Sequence, residues 1–296
     1  MVSPLMPAPT LPGRRAIVFT DLDGSLLDHH GYSHAGATPV LARIRKEGIP
    51  LIIVTSKTRA EVEEIRRELG NADPFIVENG GAAFFPQSGP YRFLAAGEEA
   101  AGYRRIQFGR SYGEIRDFLA AFKSEGGYRR IIKGFGDLEL GDIMALTGLD
   151  ADRAGAAKRR EFSEPFLIAG ETDAAAAAAC LRELAAEAQR QGFEITRGGR
   201  FHHLLGAGQD KGRAAAATME TMRGLAGGRI TTVGVGDSEN DLTMLAAVDI
   251  PVLIPHPHRG FPAGAPAGAV RATRPGSEGW NEAVGKVLDE LTNAGR

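Results

Sequence analysis

Residues 17–25 read Ile-Val-Phe-Thr-Asp-Leu-Asp-Gly-Ser, an apolar run that stops at two aspartates, Asp21 and Asp23, followed by a glycine and a hydroxyl. The apolar residues make a buried strand. Carboxylates at its C-terminal tip fall where open parallel α/β sheets keep their ligands. Two unit charges ~4 Å apart repel by about 4 kcal/mol at an effective dielectric of ~20, so a cation belongs beside them. Taken alone, the same residues also serve as a strand-to-loop turn in which Asp and Gly supply backbone geometry.

A second tip of the same grammar lies far downstream. The apolar strand Ile-Thr-Thr-Val-Gly-Val (230–235) runs into Gly236-Asp237-Ser238-Glu239-Asn240-Asp241 and then Leu-Thr-Met-Leu. This reads as strand, acidic loop and helix, with Ser238 as the helix cap and Asn240 and Asp241 in the first turn. Two quieter pieces stand between the tips. Leu51-Ile-Ile-Val is a buried strand ending in Thr55-Ser56-Lys57-Thr58-Arg59, and Gly208-Gln-Asp210-Lys211-Gly212 opens an alanine-rich helix at 213–223. A hydroxyl donates to a phosphate oxygen without adding charge, and a lysine places a compact positive charge against phosphate and carboxylates together. Each piece has a plainer use, the hydroxyls as a helix cap and the lysine as a solvated residue.

In chain order these segments are an acidic strand tip, a hydroxyl strand tip, a lysine and a second acidic tip. That order and those residue types resemble the four motifs of the haloacid dehalogenase-like phosphatases. Within that superfamily, residues 55–62 (Thr-Ser-Lys-Thr-Arg-Ala-Glu-Val) and 74–81 (Pro-Phe-Ile-Val-Glu-Asn-Gly-Gly), with Phe84-Phe85-Pro86, resemble the mannosyl-3-phosphoglycerate phosphatases. Glu161-Phe-Ser-Glu-Pro-Phe166, Arg197-Gly-Gly-Arg-Phe-His-His203 and Gly279-Trp-Asn-Glu282 strengthen the similarity. Ser25 stands where threonine is commoner, which keeps the hydroxyl.

The resemblance implies a reaction. Asp21 attacks phosphorus and forms an aspartyl phosphate, while Asp23 protonates the leaving oxygen and then deprotonates the attacking water. Thr55 and Ser56 hold the phosphoryl group and Lys211 neutralises charge. Magnesium suits the hard oxygen ligands of Asp21, Asp237 and the Asp23 carbonyl, with Asn240 and Asp241 supporting the metal and the lysine. Zinc does not suit a chain without His and Cys at ligand spacing. Substrate contacts are expected from Lys57, Arg59, Asn79 and Glu164, and from Arg197, Gly198, Gly199 and Arg200 around a hairpin turn. His202 and His203 alternate faces on a strand, so at most one points inward; His202 is placed in the substrate set.

The spacing also sets the architecture. Ser56 and Lys211 are 155 positions apart, whereas a crossover between neighbouring parallel strands takes roughly 30 residues. The expectation is an α/β fold: a Rossmann-like parallel-sheet core with helices on both faces, formed by residues 14–86 and 206–296, and an inserted α+β cap at 87–205. Residues 1–13 read as a loose tail. Inside the insertion, helices are expected near 112–125, 139–147, 151–159 and 173–190, and strands near 128–133, 164–169, 193–197 and 201–205.

At 296 residues and 43% apolar content the chain can bury a substantial core. Its formal charge of −2 implies no strongly basic surface and disfavours nucleic acid as a partner. No run approaches the ~20 apolar residues of a membrane span. The proline-rich first residues make no secretory signal, and the one cysteine, Cys180, sits in a helical alanine run without a basic partner nearby. A cytoplasmic enzyme acting on a small phosphorylated sugar-glycerate follows, with mannosyl-3-phosphoglycerate as the first substrate choice. Glucosyl-3-phosphoglycerate, sucrose phosphate or another sugar phosphate is the alternative, and a phosphomutase is a more distant one. A signalling receiver also gathers acids, a hydroxyl and a lysine around magnesium, but it needs the lysine soon after the hydroxyl strand.

Overall fold

A computed structural model describes residues 16–92, 94, 96–169, 173–197, 201–226 and 230–294. Residues 1–13, read as a tail, lie outside them. In chain order the elements are β1 (Ala16–Thr20), α1 (Thr38–Glu47), β2 (Leu51–Val54), α2 (Arg59–Leu69), β3 (Phe75–Val77), β4 (Ala82–Pro86), β5 (Glu98–Ala100) and β6 (Tyr103–Gln107). Then follow α3 (Tyr112–Glu125), β7 (Ile132–Gly134), α4 (Leu140–Thr147), α5 (Ala151–Lys158), β8 (Ser163–Ile168), α6 (Ala174–Arg190), β9 (Phe193–Arg197) and β10 (His202–Gly206). The chain closes with α7 (Lys211–Ala226), β11 (Thr231–Gly236), α8 (Leu242–Ala247), β12 (Ile250–Leu253), β13 (Val270–Arg271) and α9 (Gly276–Ala294).

The larger sheet has the order β13-β12-β11-β1-β2-β3-β4-β6-β5, parallel from β13 to β3 and antiparallel beyond. Its inner strands alternate between two apolar layers. Val18 faces a cluster with Val40, Ile44, Val62 and Trp280 from α1, α2 and α9, whereas Ile17 and Phe19 face Ala214, Met219, Met222 and Met244 from α7 and α8. Covering both faces with helices is what allows these strands to be apolar on both sides. From β1 the chain winds one way through β2 and β3, and from β11 the other way through β12 and β13. The crevice at the carboxyl ends of β1 and β11 is therefore the switch point where such sheets take ligands.

Local sequence fixes the ends of α2. Thr58 and Glu61 form a reciprocal capping box at its start, and Gly70, in the left-handed region at φ 60°, closes it. At the other end of the chain, Trp280 is fully buried under β1 and donates its indole N–H to Thr20 Oγ1 at 2.9 Å. Gly279 permits this packing, because a Cβ there would meet the Arg274 carbonyl oxygen at 1.8 Å.

Two departures from the sequence expectation have plain causes. Residues 98–107, expected in the insertion, join the larger sheet as a hairpin turned by Ala101 and Gly102, both left-handed at φ 50° and 82°. Their charged side chains suit an edge strand and hide the strand pattern. The strand expected over 128–133 instead begins at Ile132, since Gly127, left-handed at φ 71°, turns the chain and Tyr128 stacks on Phe122.

The second sheet, ordered β7-β8-β10-β9, is antiparallel. Phe166, Leu204, Phe193 and Ile132 on one of its faces pack on Ile115, Phe118 and Leu119 of α3 and Cys180, Leu184 and Ala188 of α6. Among the described residues no helix is long and apolar enough to cross a membrane.

Trp280→Ala removes a large buried side chain beneath the first motif and is expected to lower the unfolding free energy by about 3–5 kcal/mol in urea titrations. A loss under about 1 kcal/mol would show that α9 does not brace β1.

Candidate active site

At the switch point, Lys211 at the start of α7 places its ammonium 2.6 Å from Asp21 Oδ1 and 2.6 Å from Asp241 Oδ1. All three side chains are buried. Asp237 completes a group in which carboxylate oxygens of Asp21, Asp237 and Asp241 lie within 4.8 Å of one another. The strand β1 delivers Asp21, β11 delivers Asp237, and the 3-10 turn Glu239–Asp241 delivers Asp241.

Burial raises the Asp21 carboxyl above its ordinary range, Lys211 opposes the rise and Asp241 adds to it. Asp237 is raised by burial and then by Asp241 and Asp21. Burial works against the Lys211 charge, but Asp21 and Asp241 hold the ammonium well above its ordinary value. One cation thus serves three buried carboxyls, an arrangement in which further positive charge is favourable.

The four sequence segments do converge. Beside the cluster, Asp23 is partly exposed and its Oδ2 lies 2.9 Å from the Lys57 ammonium, while its Oδ1 is buried without a hydrogen-bond partner. Thr55, buried at the tip of β2, accepts the Lys57 N–H at 3.2 Å. The Asn79 amide oxygen accepts from Asn240 Nδ2 at 3.0 Å. His29, not singled out from sequence, has its Nε2 3.5 Å from Asp237 Oδ2 and its ring against His256.

Several residues have other partners than those expected. Ser238 makes no side-chain cap bond to a helix N–H; its hydroxyl meets Asn240 Oδ1 at 2.6 Å. Asp241 is the group that accepts backbone N–H bonds, from Asp237 and Ser238, on the oxygen not held by Lys211. Arg59 is engaged by Glu63 and Glu161, each at 2.9 Å. Gly198, Gly199 and Arg200 lie outside the described residues.

Glu164 and His202 share the face of the second sheet that α3 and α6 cover. Glu164 is fully buried and accepts from Tyr112 Oη at 2.8 Å and Arg116 at 2.5 Å, and His202 stacks on Phe166. Arg197 pairs in register with His202 and so takes the same side. His203 is on the opposite face, buried, with its Nδ1 unpartnered. It feels the charges of Arg160 and Lys211. The two adjacent histidines thus take opposite faces of the sheet, His202 on the helix-covered one.

Sequence reasoning placed Asn79 in the substrate set but did not single out Glu78 or the turn Glu78-Asn79-Gly80, left-handed at three successive residues with φ of 50°, 57° and 89°. The Asn-Gly pair after a strand was its only local signal. Gly80 is required there because a Cβ would meet the Asp210 carbonyl oxygen at 2.1 Å.

Comparisons agree with this geometry. A family model described as haloacid dehalogenase-like hydrolase matches residues 18–89. The chain is 48% identical over 276 residues to a glucosyl-3-phosphoglycerate/mannosyl-3-phosphoglycerate phosphatase of Persephonella marina, covering 93% of this chain and 98% of that one. It is 39% identical over 278 residues to a protein of the same name from Methanococcoides burtonii, covering 94% and 98%. In fold it resembles the crystal structure of a haloacid dehalogenase-like hydrolase from Bacteroides thetaiotaomicron, with a TM-score of 0.61 at 16% identity over 94% of this chain and all of that one.

Burial, followed by the charges of Arg160, His202 and Lys211, lowers the His203 imidazole to about 3. The folded chain keeps this ring neutral at pH values where the unfolded chain binds a proton near its ordinary 6.5. Stability is therefore lost as pH falls from about 6.5 toward about 3. His203→Gln is expected to flatten that fall in urea titrations across acid pH, and the same slope in both proteins would contradict the burial of a neutral ring.

Proposed function

The chain belongs to the haloacid dehalogenase-like hydrolases and is a phosphatase of that family, and on that premise we propose that it hydrolyses glycosyl-3-phosphoglycerates through a phosphoryl group held on Asp21. The observation that supports this most is the Lys211 ammonium at 2.6 Å from both Asp21 and Asp241, which joins segments distant in the chain at one strand tip.

In this reading Asp21 Oδ attacks phosphorus as the bond from phosphorus to the glycerate oxygen breaks, and Asp23 gives that oxygen a proton. Asp23 then takes a proton from water, whose oxygen attacks the same phosphorus and releases inorganic phosphate with Asp21 restored. Thr55 and Ser56 hold the phosphoryl oxygens, and Lys211 balances the charge on the nucleophile. Such transfer asks mainly for positioning and charge neutralisation.

The donor set fits magnesium. The cluster offers carboxylate oxygens alone, with Asp21 and Asp237 drawn above their ordinary range by burial and by neighbouring carboxylates, Asp241 first. Asp21 and Asp237 would hold the ion. Asp241 and Asn240 act one step removed, since both Asp241 oxygens and the Asn240 amide already have partners. When bound, the ion supplies positive charge to the carboxylates and the phosphoryl oxygens.

The insertion serves as a cap over the part of the substrate that does not react. Beyond Asp23 a cleft runs between the core and the insertion, lined by Tyr32, Lys57, Glu61 and Glu64 on one side and Leu149 and Arg153 on the other. An aromatic ring with carboxylates and a guanidinium suits a sugar bearing hydroxyls and a glycerate carboxylate. Tyr32 adopts φ 52°, a strained conformation of the kind that clusters at ligand sites. Both relatives are named for the glucosyl and the mannosyl ester, so we assign both sugars rather than mannose alone.

Purified enzyme with magnesium is expected to release phosphate from glucosyl- and mannosyl-3-phosphoglycerate far faster than from sucrose phosphate or hexose phosphates. Similar rates on every ester would overturn the substrate assignment. Asp21→Asn is expected to abolish turnover, and removal of magnesium by chelation to suppress it reversibly. Near-normal phosphate release by the variant would exclude Asp21 as nucleophile.

A further inference from the structure

The turn Glu78-Asn79-Gly80 touches each part of the site at once. Its backbone secures the phosphate-side loop: the Glu78 N–H donates to the Lys57 carbonyl and the Asn79 N–H to the Thr55 carbonyl, each at 3.0 Å. Gln209, two residues before Lys211, donates to the Glu78 carbonyl at 2.7 Å. The Asn79 side chain receives Asn240 from the acidic loop.

The Glu78 side chain points elsewhere. It is fully buried and accepts from the Glu161 N–H at 2.7 Å, the Phe162 N–H at 3.1 Å and the Ser163 hydroxyl at 2.8 Å, with Arg160 Nε at 3.2 Å. Arg160 in turn donates to the Ser56 carbonyl at 3.0 Å and the Ser163 hydroxyl at 2.6 Å. Residues 159–162 connect α5 to β8, which Ser163 opens, and α5 presents Arg153 to the cleft. Further contacts hold α5 and this connection against the start of α2, from Thr58 Oγ1 to the Ala156 carbonyl at 2.9 Å and from Arg59 to Glu161.

A buried ion pair adds little to stability over an apolar pair of the same shape. One whose two members bridge an insertion and a phosphate loop defines where the insertion sits. We propose that Glu78 and Arg160 are positioning residues that latch the α5–β8 connection to the phosphate loop and so set the width of the cleft that grips the non-reacting part of the substrate. The proposal rests on the assignment of that cleft to the glycosyl-glycerate leaving group. Backbone and side chain then divide the work: the turn's backbone holds the phosphoryl site, and the carboxylate holds the wall of the remote subsite.

A substrate without a remote part does not use that wall, so the two tasks separate by substrate size. Glu78→Gln keeps the turn and removes the charge. Its KM for glucosyl-3-phosphoglycerate is expected to rise about tenfold with kcat within about twofold of the parent, while kcat/KM for acetyl phosphate stays within about twofold. Ser163→Ala, which removes one bond to each partner, is expected to raise KM about threefold in the same pattern. Hydrogen exchange at the Glu161 and Phe162 amides should accelerate in both variants, whereas exchange in α3 should not.

Equal losses on both substrates, or an unchanged KM with unchanged exchange at 161 and 162, would overturn the latch. If Glu78→Gln fails to fold, Ser163→Ala decides by the same readings. If the parent enzyme does not act on the glycosyl ester at all, the substrate assignment fails, and the exchange at 161 and 162 still decides whether the carboxylate anchors this connection.

Discussion

Three carboxyls crowded around a single buried ammonium constrain everything else in this molecule. Lys211 is buried with Asp21 and Asp241, and Asp237 stands within the same few ångströms. Removing such charges from water costs several kcal/mol per ion before their attraction is counted, of the order expected for buried ions generally. The arrangement is tolerable because each member has fixed partners. Asp241 is satisfied by Lys211 and two backbone N–H groups, and Lys211 is held protonated by the two aspartates. Burial and neighbouring carboxylates still raise Asp21 and Asp237 above their ordinary range, so further positive charge beside them is favourable.

A doubly wound sheet meets that demand with little local invention. Winding in opposite directions from β1 and β11 leaves their tips adjacent, and α7 starts at the same edge with its lysine. The rigid strands carry Asp21 and Asp237, so the two are set by sheet register rather than by flexible loops. The insertion adds a second sheet. Its own helix-packed sheet is a separate small core, tied to the first through the 78–80 turn and the α2–α5 contact. The larger sheet and the insertion are thereby two packed bodies joined at these contacts.

The legible and illegible parts of this protein divide along physical lines. Asp21, Thr55 and Asp237 were readable because each directly follows a buried strand, and Lys211 because it opens an alanine-rich helix, so position along the chain translates directly into position at the sheet edge. The edge hairpin at 98–107 was not, since edge strands favour charged residues that mask alternation. His202 and His203 show how sharply a strand punishes an error of one residue: both were visible, and only pairing with Phe166 and Pro165 distinguishes the helix-covered face from the other. Glu164 and Arg59 looked available in sequence because their partners, Tyr112, Arg116 and Glu161, stand about 48–102 positions away. Glu78 was hidden for the same reason, its partners lying more than 80 positions downstream.

The central claim is that Asp21 itself receives the phosphoryl group. It is tested most directly by mixing enzyme with excess substrate and magnesium, quenching in acid within the first turnover, and mapping phosphorylated peptides by mass spectrometry. The account predicts an acyl phosphate on the peptide containing Asp21, absent from Asp21→Asn. Full turnover with no phosphoryl group on that peptide at any quench time, or with one on another residue, would contradict it.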